Sequence, residues 1–81
     1  MATVTITNTY WNSINLQVRI GNNPNPENNP LEFNQPLARG QSVPFNFPVF
    51  LFYRRDANPD SPDGRFTGWT ECFTNGNIDN P

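Results

Sequence analysis

The segment from Asp56 to Gly64 carries a dense run of side chains with oxygen atoms. Asp56, Asn58 and Asp60 occupy alternate positions, and Asp63 follows three residues later. A loop that curls around an ion points every second side chain inward, and carboxylate and amide oxygens are the ligands that calcium prefers. These four side chains are therefore a candidate calcium site.

The same segment departs from the calcium-binding EF-hand loop, which needs a glycine where Ser61 stands and an acid where Thr67 stands. No helical pattern flanks it. Aspartate, asparagine, proline and glycine are also the ordinary residues of turns. The alternative is a plain connection between two strands, and we expect no other cofactor.

A second candidate site is the aromatic pair Tyr10 and Trp11, followed by Asn12 in a short polar turn. Aromatic rings can stack on a sugar ring while neighbouring amides bond its hydroxyls, and Trp and Tyr are also frequent hot spots of protein contacts. Trp69, on a predicted strand, is a further candidate ligand-binding residue. For each of these aromatic residues the alternative is packing against the core.

Composition argues against catalysis and against nucleic-acid binding. The chain has no histidine, and all five basic residues are arginines. The usual general base, histidine-dependent triads and a Schiff-base lysine are therefore missing. We expect no enzymatic activity. The net charge of -2 leaves no basic footprint for nucleic acid.

The elements that must position these residues read as strands, because apolar and polar residues alternate and no helical stripe occurs. Residues 3–7 and 14–20 are predicted to pair as an antiparallel hairpin. Further strands are predicted at 31–33, 41–47, 49–53 and 65–74, with a loop at 21–30 and turns at 36–40 and 75–76. About six short strands predict an all-β fold, a small antiparallel β-sandwich or partly open barrel, with 1–81 as one domain.

Residues 49–53 are apolar on both faces of their predicted strand. Phe50 and Phe52, with Phe73, are therefore predicted interface residues; the alternative is a central strand that is covered on both sides. A chain of 81 residues has a marginal core, and the lone Cys72 cannot form a disulfide within it. Such chains often gain stability from a partner, which favours a homo-oligomer.

Neither a secretion signal nor a membrane span is visible. The first five residues lack a basic start and an apolar run, and the longest apolar run, 49–53, is too short to cross a bilayer. We therefore expect no membrane span and, by default, a cytoplasmic protein or a component of a particle.

The order of several motifs resembles the first part of thaumatin-like domains. The motifs are strands at 3–8 and 14–20, a Gly-Gln-Ser turn at 40–42, the aromatic and arginine run at 52–56, and Asp-Gly-Arg at 63–65. A similar outline fits aegerolysin-like β-sandwiches. The resemblance implies a β-sandwich. This chain is far shorter than thaumatin-like proteins and lacks their many cysteines, so no cleft residues are carried over.

The sequence therefore predicts a non-enzymatic structural or self-assembling protein that oligomerises through exposed aromatic surface and strand edges. The alternative is a carbohydrate-binding, lectin-like module that uses the loop aromatics and asparagine side chains.

Overall fold

A computed structural model describes residues 2–78, in which regular structure consists of seven β-strands and one turn of 3-10 helix at Pro26–Asn28. The strands are β1 (Ala2–Asn8), β2 (Ser13–Gly21), β3 (Leu31–Ala38), β4 (Ser42–Phe47), β5 (Phe50–Arg55), β6 (Thr70–Glu71) and β7 (Gly76–Ile78). Across these residues no helix is long and apolar enough to cross a membrane. The predicted all-β class is confirmed, with seven strands instead of about six.

The strands form two separate sheets, so the fold is a sandwich and not a barrel. One sheet has three strands in the order β4-β1-β7, and the other has four in the order β3-β2-β5-β6. All neighbouring strands are antiparallel except β1 and β7, which run parallel. The predicted turn at 75–76 is therefore wrong, since Gly76 already begins β7. The interpretation of the chain end beyond it falls partly on residues 79–81, which lie outside the described part.

The predicted hairpin between the first two strands is also wrong, because β1 and β2 belong to different sheets. Val4 and Ile6 of β1 are buried, and so are Ile14, Leu16 and Val18 of β2. These residues all belong to one core cluster, so the two strands pack face to face. Strict alternation gives each strand one apolar face, and such faces can be buried by stacking as well as in a shared sheet.

The core between the sheets combines these residues with aromatic and aliphatic side chains from every other strand except β6. Its further members are Leu37, Phe45, Phe47, Leu51, Cys72 and Ile78. Phe33 packs edge-on against Phe45 with ring centroids 5.5 Å apart, which closes the side of the sandwich where β3 and β4 lie. The predicted inward positions of Phe45 and Phe47 are confirmed.

Two predicted boundaries shift. β3 continues to Ala38, through residues predicted as a turn, and the turn itself is Arg39-Gly40, where Gly40 has the expected positive φ of 84°. The predicted strand at 65–74 shrinks to β6, with one isolated bridge between Asp56 and Phe66. β5 nevertheless has neighbours on both sides, β2 and β6, as predicted for a central strand.

Candidate functional site

The turn that carries the predicted aromatic pair is built on Asn8, which is fully buried. Asn8 Nδ2 donates to the carbonyls of Trp11 (2.9 Å) and Leu37 (3.0 Å). Asn8 Oδ1 accepts from the backbone N–H groups of Tyr10 (3.3 Å) and Trp11 (3.1 Å). One amide thus satisfies four backbone groups where the chain leaves one sheet for the other.

Tyr10, Trp11 and Asn12 leave this turn in different environments. Tyr10 is 45% exposed and meets the Trp11 ring edge-on, with centroids 4.9 Å apart. Trp11 is partly buried and packs against the core. Asn12 is exposed, and its carbonyl accepts from the Arg39 N–H at 3.1 Å. Only Tyr10 and Asn12 therefore present substantial surface to a ligand.

Trp69 lies in a different cluster, which we call the outer cluster: Arg19, Glu27, Arg54, Phe66 and Trp69. The Arg54 guanidinium carbon lies 4.4 Å from the centroid of Trp69 and 4.6 Å from that of Phe66. The Arg19 guanidinium carbon lies 5.5 Å from Trp69 and pairs with Glu27 at 3.8 Å. Glu27 also accepts from Trp69 Nε1 at 2.6 Å, so the loops before β3 and before β6 meet over the four-stranded sheet.

The two tryptophans lie on opposite faces of this sheet. Trp11 contacts Arg55, whose guanidinium carbon is 5.3 Å from its ring, and Trp69 contacts Arg54. Arg54 and Arg55 are consecutive residues of β5, and consecutive strand residues point to opposite faces. The structure therefore does not bring Trp11 and Trp69 together as one binding platform.

The predicted calcium ligands are held by other partners. Asp56 is 3% exposed and accepts from Asn15 N and Asn15 Nδ2, both at 3.1 Å. Asp63 Oδ2 accepts from Asn58 Nδ2 at 3.1 Å. In the described part of the chain, no three acidic or thiol side chains group as metal ligands would.

Asp63 is further paired with Arg65. The carboxylate accepts from the Arg65 backbone N–H at 3.1 Å and from its Nε at 2.9 Å, with an ion pair of 2.9 Å to Nη2. The backbone hydrogen bond from Arg65, followed by the side-chain bond, lowers the pKa of this exposed carboxyl below its usual range. Both contacts favour the turn over an ion site.

The predicted interface residues divide into one buried and two accessible side chains. Phe52 is only 6% exposed, so its prediction as an exposed contact residue is wrong; it shares the outer face with Arg54 and stacks on Phe50 at 5.7 Å. Phe50 is half-buried, whereas Phe73 is 68% exposed. The preceding Val49 is 54% exposed.

Three of these side chains lie together where β5 begins. Phe52 pairs with Glu71, and Cys72 N donates to Leu51 O at 2.9 Å. One residue further along each chain places Phe50 opposite Phe73, and Val49 precedes Phe50. We call Val49, Phe50 and Phe73 the apolar end.

The long edge strands β3 and β4 each carry a proline that faces outward. Pro44 is opposite Thr5, whose N–H points away from β4 to accept Asn75 Oδ1 as its partner at 2.9 Å. Pro36 is opposite Asn15, whose N–H points away from β3 toward Asp56. In an antiparallel pair the opposite residue then faces its own backbone outward. Each proline thus removes an outward donor and blunts its edge against strand addition.

A cleft of about 390 Å³ opens on the other side of the sandwich, where the short strands β6 and β7 leave the sheets apart. Its walls include Tyr53, Arg55, Thr67, Trp69, Thr70 and Asn77. Among the residues predicted to bind a ligand, Trp69 contributes to this cleft.

The sequence analysis did not assign a role to Asn8 or to the arginine and aromatic contacts. An asparagine that ends an alternating strand and precedes a turn is a recognisable sign of side-chain bonding to the backbone. The arginine contacts join residues up to 50 positions apart in the chain, such as Arg19 and Trp69, and no local pattern identifies them.

Comparison of this chain with protein-family models, with curated proteins and with solved structures found no match. The resemblance to thaumatin-like and aegerolysin-like domains therefore stays a prediction. Functional arguments for this protein depend on the geometry of its own side chains.

Proposed function

We propose that this protein is a non-enzymatic structural protein that assembles with copies of itself through the apolar end. The observation that carries the proposal is the exposure of Phe73 (68%) next to Val49 (54%). Single exposed apolar residues are ordinary, whereas contiguous ones are typical of contact surfaces. A second copy that covers this end removes aromatic and aliphatic surface from water.

The size of the chain supports the same proposal. With 81 residues and one cysteine, it has a marginal core and no disulfide of its own. Burial of additional apolar surface between copies adds stability that the isolated sandwich lacks. The net charge of -2 opposes close approach of two copies only slightly.

The predicted use of strand edges is narrowed by the two edge prolines. Pro36 and Pro44 disfavour strand addition at β3 and β4. Contacts between copies are therefore expected at the apolar end and not along these two long edges.

The proposal is tested by sedimentation velocity and native mass spectrometry over a wide range of protein concentration. We expect the unaltered protein to form oligomers and Phe73→Ser to shift the distribution to monomer. Because Phe73 is mostly exposed, this variant should keep its fold, which circular dichroism verifies.

Leu31→Ser is the matched control, since Leu31 is 41% exposed and lies on β3. It should assemble like the unaltered protein. A protein that stays monomeric at every concentration, or a Phe73→Ser variant that assembles unchanged, contradicts the proposal.

A further inference from the structure

The cleft beside β5, β6 and β7 has the size and position of a small-molecule site. Its volume of about 390 Å³ lies near the lower end of the range of about 300–1,000 Å³ that is typical of ligand pockets, so it suits one small ligand. It lies at the opposite end of β5 from the apolar end, since Tyr53 and Arg55 line it and Phe50 begins the strand. The two surfaces can therefore act independently.

The walls combine aromatic rings with groups that both donate and accept hydrogen bonds. Tyr53 and Trp69 provide aromatic surface, and the hydroxyls of Thr67 and Thr70 and the Asn77 amide provide polar contacts. Thr67 Oγ1 accepts from the Arg55 N–H at 3.2 Å, which leaves its own proton for another acceptor. Within the described residues, the exposed side chains of Thr70 and Asn77 have no hydrogen-bond partner.

The walls are also fixed in place before any ligand arrives. Thr67 N donates to Arg55 O at 2.8 Å, which anchors the segment before β6 to the end of β5. Trp69 is held by Glu27 and by the guanidinium of Arg54. A preformed wall lowers the entropic cost of binding.

From this geometry we infer that the cleft binds a small, uncharged, hydroxylated molecule of monosaccharide size. The hydroxyls of such a ligand both donate and accept, as do Thr67, Thr70 and Asn77. Its C–H face can lie on the aromatic surface. This places sugar binding in the cleft and not on the turn that carries Tyr10 and Trp11.

Gly68 offers a direct way to block the site. It lines the cleft, and a Cβ built on it meets no heavy atom within 4 Å. Gly68→Val therefore fills space in the cleft without a clash in the protein. Thr70→Val combined with Asn77→Ala removes the polar contacts instead. Thr74→Val combined with Asn28→Ala is the matched control, because both residues are exposed and neither is a wall residue.

The test is saturation-transfer NMR with glucose, galactose, mannose and N-acetylglucosamine, each titrated into the millimolar range. We expect at least one sugar to bind and to shift the Thr70 amide, Asn77 side-chain amide and Trp69 indole signals. Gly68→Val and the Thr70/Asn77 double variant should weaken binding at least tenfold, and the control pair should bind as the unaltered protein does.

Absence of binding for all four sugars overturns the inference, as does undiminished binding by both cleft variants. Binding of glucuronate without any neutral sugar overturns the assignment to an uncharged ligand. Phe73→Ser should bind the sugar with unchanged affinity. This result separates the cleft from the proposed assembly surface, so that either proposal can fail alone.

Discussion

At the scale of single residues, Asn8 determines how the chain passes from one sheet to the other. Its side chain is fully buried and bonds four backbone groups of the turn and of β3. A buried backbone group without a partner costs about 1–3 kcal/mol. The alternating pattern placed a turn after β1, but the sequence alone does not say that the turn leads into the opposite sheet.

Asn8→Ala should lower the free energy of unfolding by about 3 kcal/mol or more, because several backbone groups lose their partner at once. Asn12→Ala, in the same turn but exposed, should change it by less than about 0.5 kcal/mol. Urea unfolding followed by circular dichroism measures both. Equal effects of the two substitutions would show that the amide bonds of Asn8 are not what stabilises the turn.

Cys72 predicts a loss of stability at alkaline pH. Burial raises the pKa of its thiol, although Cys72 Sγ is 2.9 Å from the Thr74 carbonyl. A group whose pKa is higher in the folded state holds its proton more tightly there. Its contribution is complete below the pKa of the unfolded thiol, about 8.5, and is lost as pH rises through the folded value.

The free energy of unfolding should therefore fall between pH 7.5 and pH 9.5 more steeply in the unaltered protein than in Cys72→Ala. The comparison of the two slopes removes the contribution of all other groups. Identical slopes would mean that the thiol titrates alike in both states.

At the scale of elements, the outer cluster accounts for the apolar residues that β5 directs to both faces. Phe52 points away from the sandwich core and is still buried, since loops of the same chain lie over this face. The sequence indicated two apolar faces correctly. It could not indicate the covering, because the contacts of Trp69 with Glu27 and Arg19 join distant loops.

Arg54→Lys should lower the free energy of unfolding by about 1–2 kcal/mol. The planar guanidinium contacts the rings of Phe66 and Trp69, and its Nε donates to Gln17 Oε1 at 2.7 Å. A lysine ammonium cannot reproduce this stacked and bonded arrangement. Chemical denaturation measures the difference.

Arg65→Lys is the control for the same change in chemistry. Arg65 pairs with Asp63 on the surface, where such pairs contribute little, so the effect should stay below about 0.5 kcal/mol. A loss as large as that of Arg54→Lys would contradict the special role of the stacked arginine.

The loop after β5 allows a test with metal. Asp56 is bonded to Asn15 and Asp63 to Arg65, so we expect the melting temperature to be the same with calcium and with a chelator. Differential scanning calorimetry measures it. A rise of several degrees with calcium would instead support an ion held by Asp56, Asn58, Asp60 and Asp63.

At the scale of the whole molecule, self-assembly links stability to concentration. If copies associate only when folded, mass action stabilises the folded state. We expect the melting temperature to rise by about a few degrees for each tenfold increase in protein concentration. Phe73→Ser should melt at the same temperature throughout. A melting temperature of the unaltered protein that does not depend on concentration would contradict assembly.

The sequence by itself determined the all-β class, the sandwich architecture, and the inward positions of residues such as Phe45 and Phe47. These features depend on local alternation, which any one strand reports without its neighbours. Only the tertiary structure decided which strands share a sheet, that β7 runs parallel to β1, and that Phe52 is covered while Phe73 is not. Period-two patterning assigns a face to each side chain but carries no information on which distant segment will meet that face.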